Sequence, residues 1–438
     1  MENEMLELQQ YINIHPIKDI DKHLRSAYVS LIDHICRTVD VFDKWSESMI
    51  ELMIELISDN AQLLSVNIDK NNSIIFSNKQ GKRCRYKFYR YRHIILTDCL
   101  FISAYNNRAA GEKILDHICK LFPKNRKKSI RLFDLFYQPD LTVIQNEFPE
   151  LLNIYRIIET DRSFQSKKQK RIMITANMSA GKSTLLNALS GKKVNKTQND
   201  SCTAKIHYLY NKAGEDELSY ELDYDLELNA GKKELMEDNK NNTTSEIYVG
   251  TRFRSLKEIK NRICFIDTPG VNSSQNKEHR EITNDVISDK SCDLLIYLLN
   301  GENIGTDDDI SHLRYVHENY HGKTIFIVNK LDRFKRGTDS VSDTLKKVTE
   351  DLKKIGYKKP KVYPISAYAA YLAKMFMYGE QLTDDELDEL EFRNRKLSKD
   401  EFQYYRYYDI EAPLINVNNK MEIILKNSGI LSLEKIIY

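Results

Sequence analysis

Lys182 and Ser183 follow a run of small residues, Asn177-Met178-Ser179-Ala180-Gly181, and precede the helical pattern Thr184-Leu185-Leu186-Asn187. A lysine and a hydroxyl at the mouth of a helix, after a loop with little side-chain bulk, can hold phosphate groups. Successive backbone N–H groups curl around a β-phosphate, Lys182 offers a positive charge to β- and γ-phosphate oxygens, and the Ser183 hydroxyl can ligate Mg²⁺. The positive end of the helix dipole points at the same phosphates. The full pattern G-x-x-x-x-G-K-[ST] asks for glycine where Ala176 stands. If that position needs φ > 0, alanine is strained there; if it lies in β space, nothing is lost.

Three more short motifs follow in order, each at the end of an apolar run of strand type. Arg262–Ile266 leads to Asp267-Thr268-Pro269-Gly270. There the Asp267 carboxylate can hold Mg²⁺ through water, and the Gly270 N–H can bond a γ-phosphate. Thr324–Val328 leads to Asn329-Lys330-Leu331-Asp332. The Asp332 carboxylate can accept two hydrogen bonds from N1 and the 2-amino group of guanine, an edge that adenine lacks. Lys361–Ile365 leads to Ser366-Ala367, where a backbone N–H can reach the guanine O6. Each tetrapeptide is weak alone, but four in sequence after four strands predict a site for GTP or GDP with Mg²⁺.

The residues Asn177–Leu189 resemble the P-loop and first helix of bacterial dynamin-like GTPases. Cys202-Thr203-Ala204-Lys205-Ile206 is similar to their first switch, and Lys426–Glu434 to the start of their last GTPase-domain helix. The likeness covers residues 168–438 and carries nothing onto residues 1–160. It implies a GTPase domain that dimerises across the nucleotide and hydrolyses GTP without an outside arginine, often helped by K⁺ or Na⁺. It places Thr203 over Mg²⁺ and the γ-phosphate, and Ser179 at the attacking water or the monovalent cation. Lys182, Ser179, Thr203 and Gly270 are then the catalytic set, and Ser183, Thr203 and Asp267 the metal set. Asn177, Met178, Ser179, Ala180, Gly181, Lys182, Ser183, Thr184, Asn329, Lys330, Asp332, Ser366 and Ala367 bind the nucleotide.

Met178 departs from eukaryotic dynamins, which carry a water-positioning glutamine there; an apolar side chain orients no water by hydrogen bonding. Two functions from different classes follow. One is a hydrolase activated by dimerisation. The other is a GTP-controlled switch or scaffold that hydrolyses slowly and signals through the N-terminal helices. In dynamin-like proteins a helical stalk and a membrane-binding tip follow the last GTPase-domain helix, so a stalk-bearing or second dynamin-like partner is the expected complement.

Composition narrows the rest. The 66 Lys and Arg balance 64 Asp and Glu, giving a net charge of +2, so whole-chain charge makes no case for nucleic acid or an acidic membrane. No apolar run approaches the roughly 18 residues of a membrane span. The start Met1-Glu-Asn-Glu-Met5 lacks the basic-then-apolar order of a secretory signal. Seven scattered cysteines without C-x-x-C pairs read as reduced packing residues. The expectation is a bacterial cytoplasmic protein, with a peripheral place at the inner membrane face left open.

The elements that position these motifs can be read coarsely. At 438 residues, two domains are expected. Residues 1–165 show apolar spacing of three and four in several blocks, a mainly helical domain of bundle or neck type with a small hairpin near 63–76. A helix is expected from Leu141 to about Ser163. The run Lys82–His93 alternates cations and aromatics; it reads as an element start with charges to water and rings to the core, ahead of a lipid- or base-stacking surface. Residues 168–438 alternate strands and helices, including Thr203–Tyr210, Leu218–Tyr224 and a charged helix over 230–239. That predicts an α/β, doubly wound, mostly parallel P-loop sheet, with an insertion at about 379–419.

Overall fold

The computed structural model describes residues 6–39, 42–70, 72–177, 179–194, 205–223, 225–231, 246–259, 261–268, 287, 292–334 and 340–438. Met178, Thr203, Gly270 and the expected helix over 230–239 lie outside the described residues. The chain forms two compact units, one of residues 1–166 with 212–230, the other of 167–211 with 231–438.

In the first unit, helices α1 (Leu8–Asn13), α2 (Lys22–Thr38), α3 (Lys44–Leu56), α4 (Arg92–Ser103), α5 (Arg108–Leu121), α6 (Arg126–Tyr137), α7 (Leu141–Glu147) and α8 (Leu152–Gln165) surround an apolar core. The helix expected over 141–163 is two. Pro149 has no N–H to give the ladder and disfavours helical geometry at Phe148, so α7 stops there and a short 3₁₀ turn starts α8. Strands β1 (Ser65–Ile68), β2 (Ile74–Ser77) and β3 (Arg83–Arg85) form an antiparallel sheet. The cation–aromatic run thus enters β3 and the start of α4, with Phe88 and His93 buried.

A polar knot fixes the start of this unit. The Asp98 carboxylate, 1% exposed on α4, accepts from the Tyr11 and Tyr28 hydroxyls at 2.7 Å each and meets His15 Nε2 at 3.0 Å. Three donors compensate a buried acceptor that would be costly alone.

The segment 212–230, read from sequence as part of the strand–helix alternation, belongs to the first unit. It carries a short antiparallel pair, Tyr220–Leu222 with Leu226–Glu227. Lys212 Nζ lies 2.5 Å from Asp216 Oδ2, both side chains within 1% of full burial, and the Leu8 N–H donates to the same Asp216 oxygen at 2.9 Å. Ser48 Oγ donates to the Leu226 carbonyl at 2.8 Å.

The second unit contributes strands β4 (Gln169–Ala176), β5 (Ile206–Asn211), β6 (Glu246–Thr251), β7 (Arg262–Asp267), β8 (Leu294–Asn300), β9 (Thr324–Asn329) and β10 (Val362–Ile365), in the order β10-β9-β8-β4-β7-β5-β6. All neighbours are parallel except β5 with β7. The central strands are buried on both faces, and their sequences are accordingly unbroken apolar runs such as Leu294–Leu299. Helices α9 (Lys182–Ser190), α10 (Asp307–Asn319), α11 (Val341–Ile355), α12 (Ala367–Met377), α13 (Asp384–Leu397), α14 (Lys420–Asn427) and α15 (Ile430–Ile437) complete the α/β architecture. The stretch 379–419 contains α13, opened by a Thr383/Glu386 capping box, and two 3₁₀ turns. Among the described residues, no helix is long and apolar enough to cross a membrane.

Candidate functional site

β4 leads into the loop that the sequence expects to hold phosphate. Ala176 is the last residue of the strand, paired with Leu298 of β8, and it is not among the residues with positive φ. Alanine therefore replaces glycine here without backbone strain. The turn is made further on, where Ser179 takes φ 60° and Gly181 φ 96°. Gly181 is required twice over. Its φ lies in the left-handed region, and a Cβ there would stand 2.6 Å from the Asn329 side-chain nitrogen. α9 starts at Lys182 with Gly181 as its N-cap residue, so Lys182, Ser183 and Thr184 occupy the first turn, where backbone N–H groups have no helical partners.

Asn329, the last residue of β9, ties the loop to the Ser366-Ala367 segment that the sequence expects at the base. Its Nδ2 donates to the Ala180 carbonyl at 2.9 Å, and its Oδ1 accepts from the Ala367 N–H at 3.1 Å. The Ala367 N–H, one of the backbone donors of the Ser366-Ala367 pair expected near the guanine O6, thus bonds Asn329 in this structure. The Ser366 N–H goes to the Ser428 carbonyl at 2.9 Å. Lys330, at φ 67°, turns its Nζ to the Ser179 carbonyl at 2.6 Å. Burial and the Arg333 charge pull the Lys330 ammonium below its usual pKa; Glu302, 3.9 Å away, opposes them.

Asp267 ends β7, in register with Ile174 of β4, and its charge partly offsets the burial that lowers the Lys182 pKa. A lysine easier to strip of its proton is one whose charge lacks compensation, and a phosphate would provide it. Asn177 Oδ1 and Ser366 Oγ are buried with no hydrogen-bond partner in this structure. The donor set is a serine hydroxyl and a strand-end carboxylate. Mg²⁺ fits such a set, because it prefers oxygen, keeps several waters and takes few protein ligands beside substrate phosphates.

Asn177 Nδ2 donates to Asp309 Oδ1 on α10, whose first turn is capped by Thr306. Burial raises the Asp309 pKa, while the Asn177 and Thr306 side chains work against the rise. Sequence reading missed Asp309, as it missed Arg393 on α13, whose Nη1 donates to Asp332 Oδ2. For Arg393 a signal was present: it stands between Leu390 and Leu397, in the stripe that α13 buries.

The sequence pattern of the dynamin family matches residues 172–331. Over 205 residues the chain is 26% identical to the "probable transmembrane GTPase FZO-like, chloroplastic" of Arabidopsis thaliana, covering 47% of this chain and 20% of that protein. The chain thus spans about a fifth of the length of this curated relative. Among solved structures it is similar to a member of an oligomerised bacterial dynamin pair, at 18% identity and TM-score 0.39, covering 96% of this chain and 62% of the other. It is also similar to Era bound to MgGDPNP and a 16S ribosomal RNA segment, at 17% identity and TM-score 0.29, covering 58% of this chain and 61% of Era. Through residues 172–331, the chain carries the sequence pattern of the dynamin family.

Proposed function

We propose that this chain binds GTP and hydrolyses it to GDP and phosphate with Mg²⁺, and that pairing of two GTPase domains across the nucleotide speeds the reaction. The observation that carries the reading is the Asn329 side chain, which bonds the phosphate loop at Ala180 and the base loop at Ala367. Motifs separated by about 150 and 40 residues thereby share one buried amide, as a ligand with phosphates at one end and a base at the other requires.

In this reading Lys182 and the loop N–H groups stabilise charge on the bridging and γ-phosphate oxygens. Ser183, Asp267 and Thr203 hold Mg²⁺, which when bound neutralises developing phosphate charge. Ser179, Thr203 and the Gly270 N–H place water in line with the γ-phosphate; Ser179 also serves K⁺ or Na⁺ if the reaction uses one. Thr203 and Gly270 take these roles from sequence. The match of residues 172–331 to the dynamin family's pattern supports a homodimer, or a pair with a second dynamin-like chain.

The apolar Met178 supports a second reading, a switch that binds GTP and turns it over negligibly. Phosphate release with Mg²⁺ and K⁺ at rising protein concentration separates the two. Specific activity that climbs with concentration and vanishes in Lys182→Ala supports the hydrolase. Tight GTP binding without Lys182-dependent release supports the switch.

A further inference from the structure

Asp332 and Arg393 form a buried ion pair inside the second unit, with side chains 2% and 7% exposed. The two come from separate elements, Asp332 from the Leu331–Arg333 turn and Arg393 from α13, 61 residues later. Arg393 Nη2 also donates to Glu389 Oε2 at 2.8 Å, one turn earlier on α13. Its guanidinium carbon lies 4.9 Å from the centre of the Tyr368 ring, and Tyr368 directly follows Ala367. Arg393 Nε is buried with no hydrogen-bond partner. A cation on a stripe otherwise made of Leu390 and Leu397 costs desolvation, and the Asp332 carboxylate offsets that cost.

The chemistry of the two possible partners of Asp332 is nearly the same. Guanine presents N1–H and the 2-amino group on one carbon, a planar N–C–N donor edge. Arginine presents a planar N–C–N donor fork with a full positive charge, and here its Nη1 takes Asp332 while its Nη2 takes Glu389. A carboxylate that recognises one recognises the other, and a buried carboxylate holds the charged fork more strongly.

We propose that Arg393 competes with the guanine base for Asp332 and so sets the affinity of the site for guanine nucleotide. The inference rests on the nucleotide site proposed above. Guanine enters by taking Asp332 from Arg393; the freed guanidinium keeps Glu389, half-exposed and within reach of water, as its partner. α13 loses an anchor in the exchange, so base binding is reported to the 384–397 helix. The pair is then both a brake on nucleotide affinity and a sensor of the base, separate from the γ-phosphate.

The test uses the full chain and a fluorescent GDP. Wild type, Arg393→Ala and Arg393→Lys are compared for equilibrium affinity, and amide hydrogen exchange of residues 384–397 is followed in wild type with and without saturating GDP. A competitor that holds nine-tenths of the protein lowers apparent affinity about tenfold, so Arg393→Ala binds GDP about tenfold tighter, and Arg393→Lys falls between. Exchange over 384–397 speeds up when GDP binds to wild type, a readout that needs no variant to fold. Unchanged or weaker GDP binding in a folded Arg393→Ala overturns the inference, as does slower or unchanged exchange of α13, and either result leaves the nucleotide site standing. Wild-type protein that binds no guanine nucleotide overturns both.

Discussion

Lys374 Nζ lies 2.5 Å from Glu434 Oε1, with side chains 0% and 5% exposed. The same ammonium donates to the carbonyls of Arg254 at 2.8 Å and Leu189 at 3.3 Å. One buried cation on α12 therefore holds the end of the phosphate-loop helix α9, the loop after β6 and the last helix α15.

Lys374→Met keeps the apolar stem but leaves Glu434 buried beside Ser255 without its cation. Removing one partner of a buried pair costs about 3–5 kcal/mol, and the carbonyls lose their donor as well. The variant should melt well below wild type by calorimetry. Lys374→Met with Glu434→Leu should recover most of the loss, because the stranded charge goes too.

Gly181→Ala tests the phosphate loop. The added Cβ meets the Asn329 amide at a backbone φ that L-residues avoid. Nucleotide affinity should fall at least about tenfold, with a stability loss of about 1–3 kcal/mol. Titration calorimetry with GDP, beside thermal melts, measures both. Wild-type affinity would mean that the loop holds its ligand in some other shape.

Asn329→Ala removes the amide that bonds Ala180 and Ala367. Two buried backbone groups lose their partner at about 1–3 kcal/mol each. The expected result is strongly reduced affinity for both GDP and GTP, seen by filter binding, with both nucleotides affected alike because neither bond involves a γ-phosphate.

Asp332→Asn changes the base edge. An asparagine offers one acceptor and one donor pair in place of two acceptors. Guanine nucleotide should bind weakly and xanthine nucleotide, which presents an oxygen at position 2, should bind better. A competition assay with GDP and XDP gives the ratio; a ratio equal to wild type would remove Asp332 from base recognition.

Two histidines predict the response to acid. Burial pulls His207 down to about 4, helped by the Lys205 charge. Burial, Arg92 and Lys128 do the same to His93. Both folded values lie below the unfolded value near 6.5, so between about pH 4 and 6.5 the unfolded chain binds more protons. Stability then rises with pH through that window and is lost as pH falls toward 4, by on the order of 1–3 kcal/mol per histidine. Melts from pH 4.5 to 7.5 should show this slope, and His93→Phe should flatten it.

The sequence made the centre of the sheet legible because burial on both faces writes itself as long apolar runs. Leu294–Asn300 and Thr324–Asn329 are such runs, and the motifs sit at their ends. What it hid depends on distant pairing. Nothing local marks β5 as the antiparallel member beside β7, since alternation gives a strand but not its direction. Tyr220–Leu222 looks like one more strand of the alternation, yet its segment groups with residues 1–166 through contacts such as Leu8 with Asp216. In the candidate site, the loop between β4 and α9 and the Asn329-Lys330-Leu331-Asp332 turn stand at strand ends, where residue type and order put them. The bonds from Asn177 to Asp309 and from Arg393 to Asp332 were not legible, because each joins residues more than 60 positions apart.

The placement of 212–230 in the first unit also orders events during synthesis. Asp216 and Leu226 accept bonds from Leu8 and Ser48 of residues 1–166, and Lys212 holds Asp216 in place. A nascent chain leaving the ribosome therefore carries an unfinished amino-terminal unit until residue 230 is out, by which point β4, α9 and β5 have already emerged. The two units cannot mature one after the other as beads on a string; the first is closed by a thread spun from within the second.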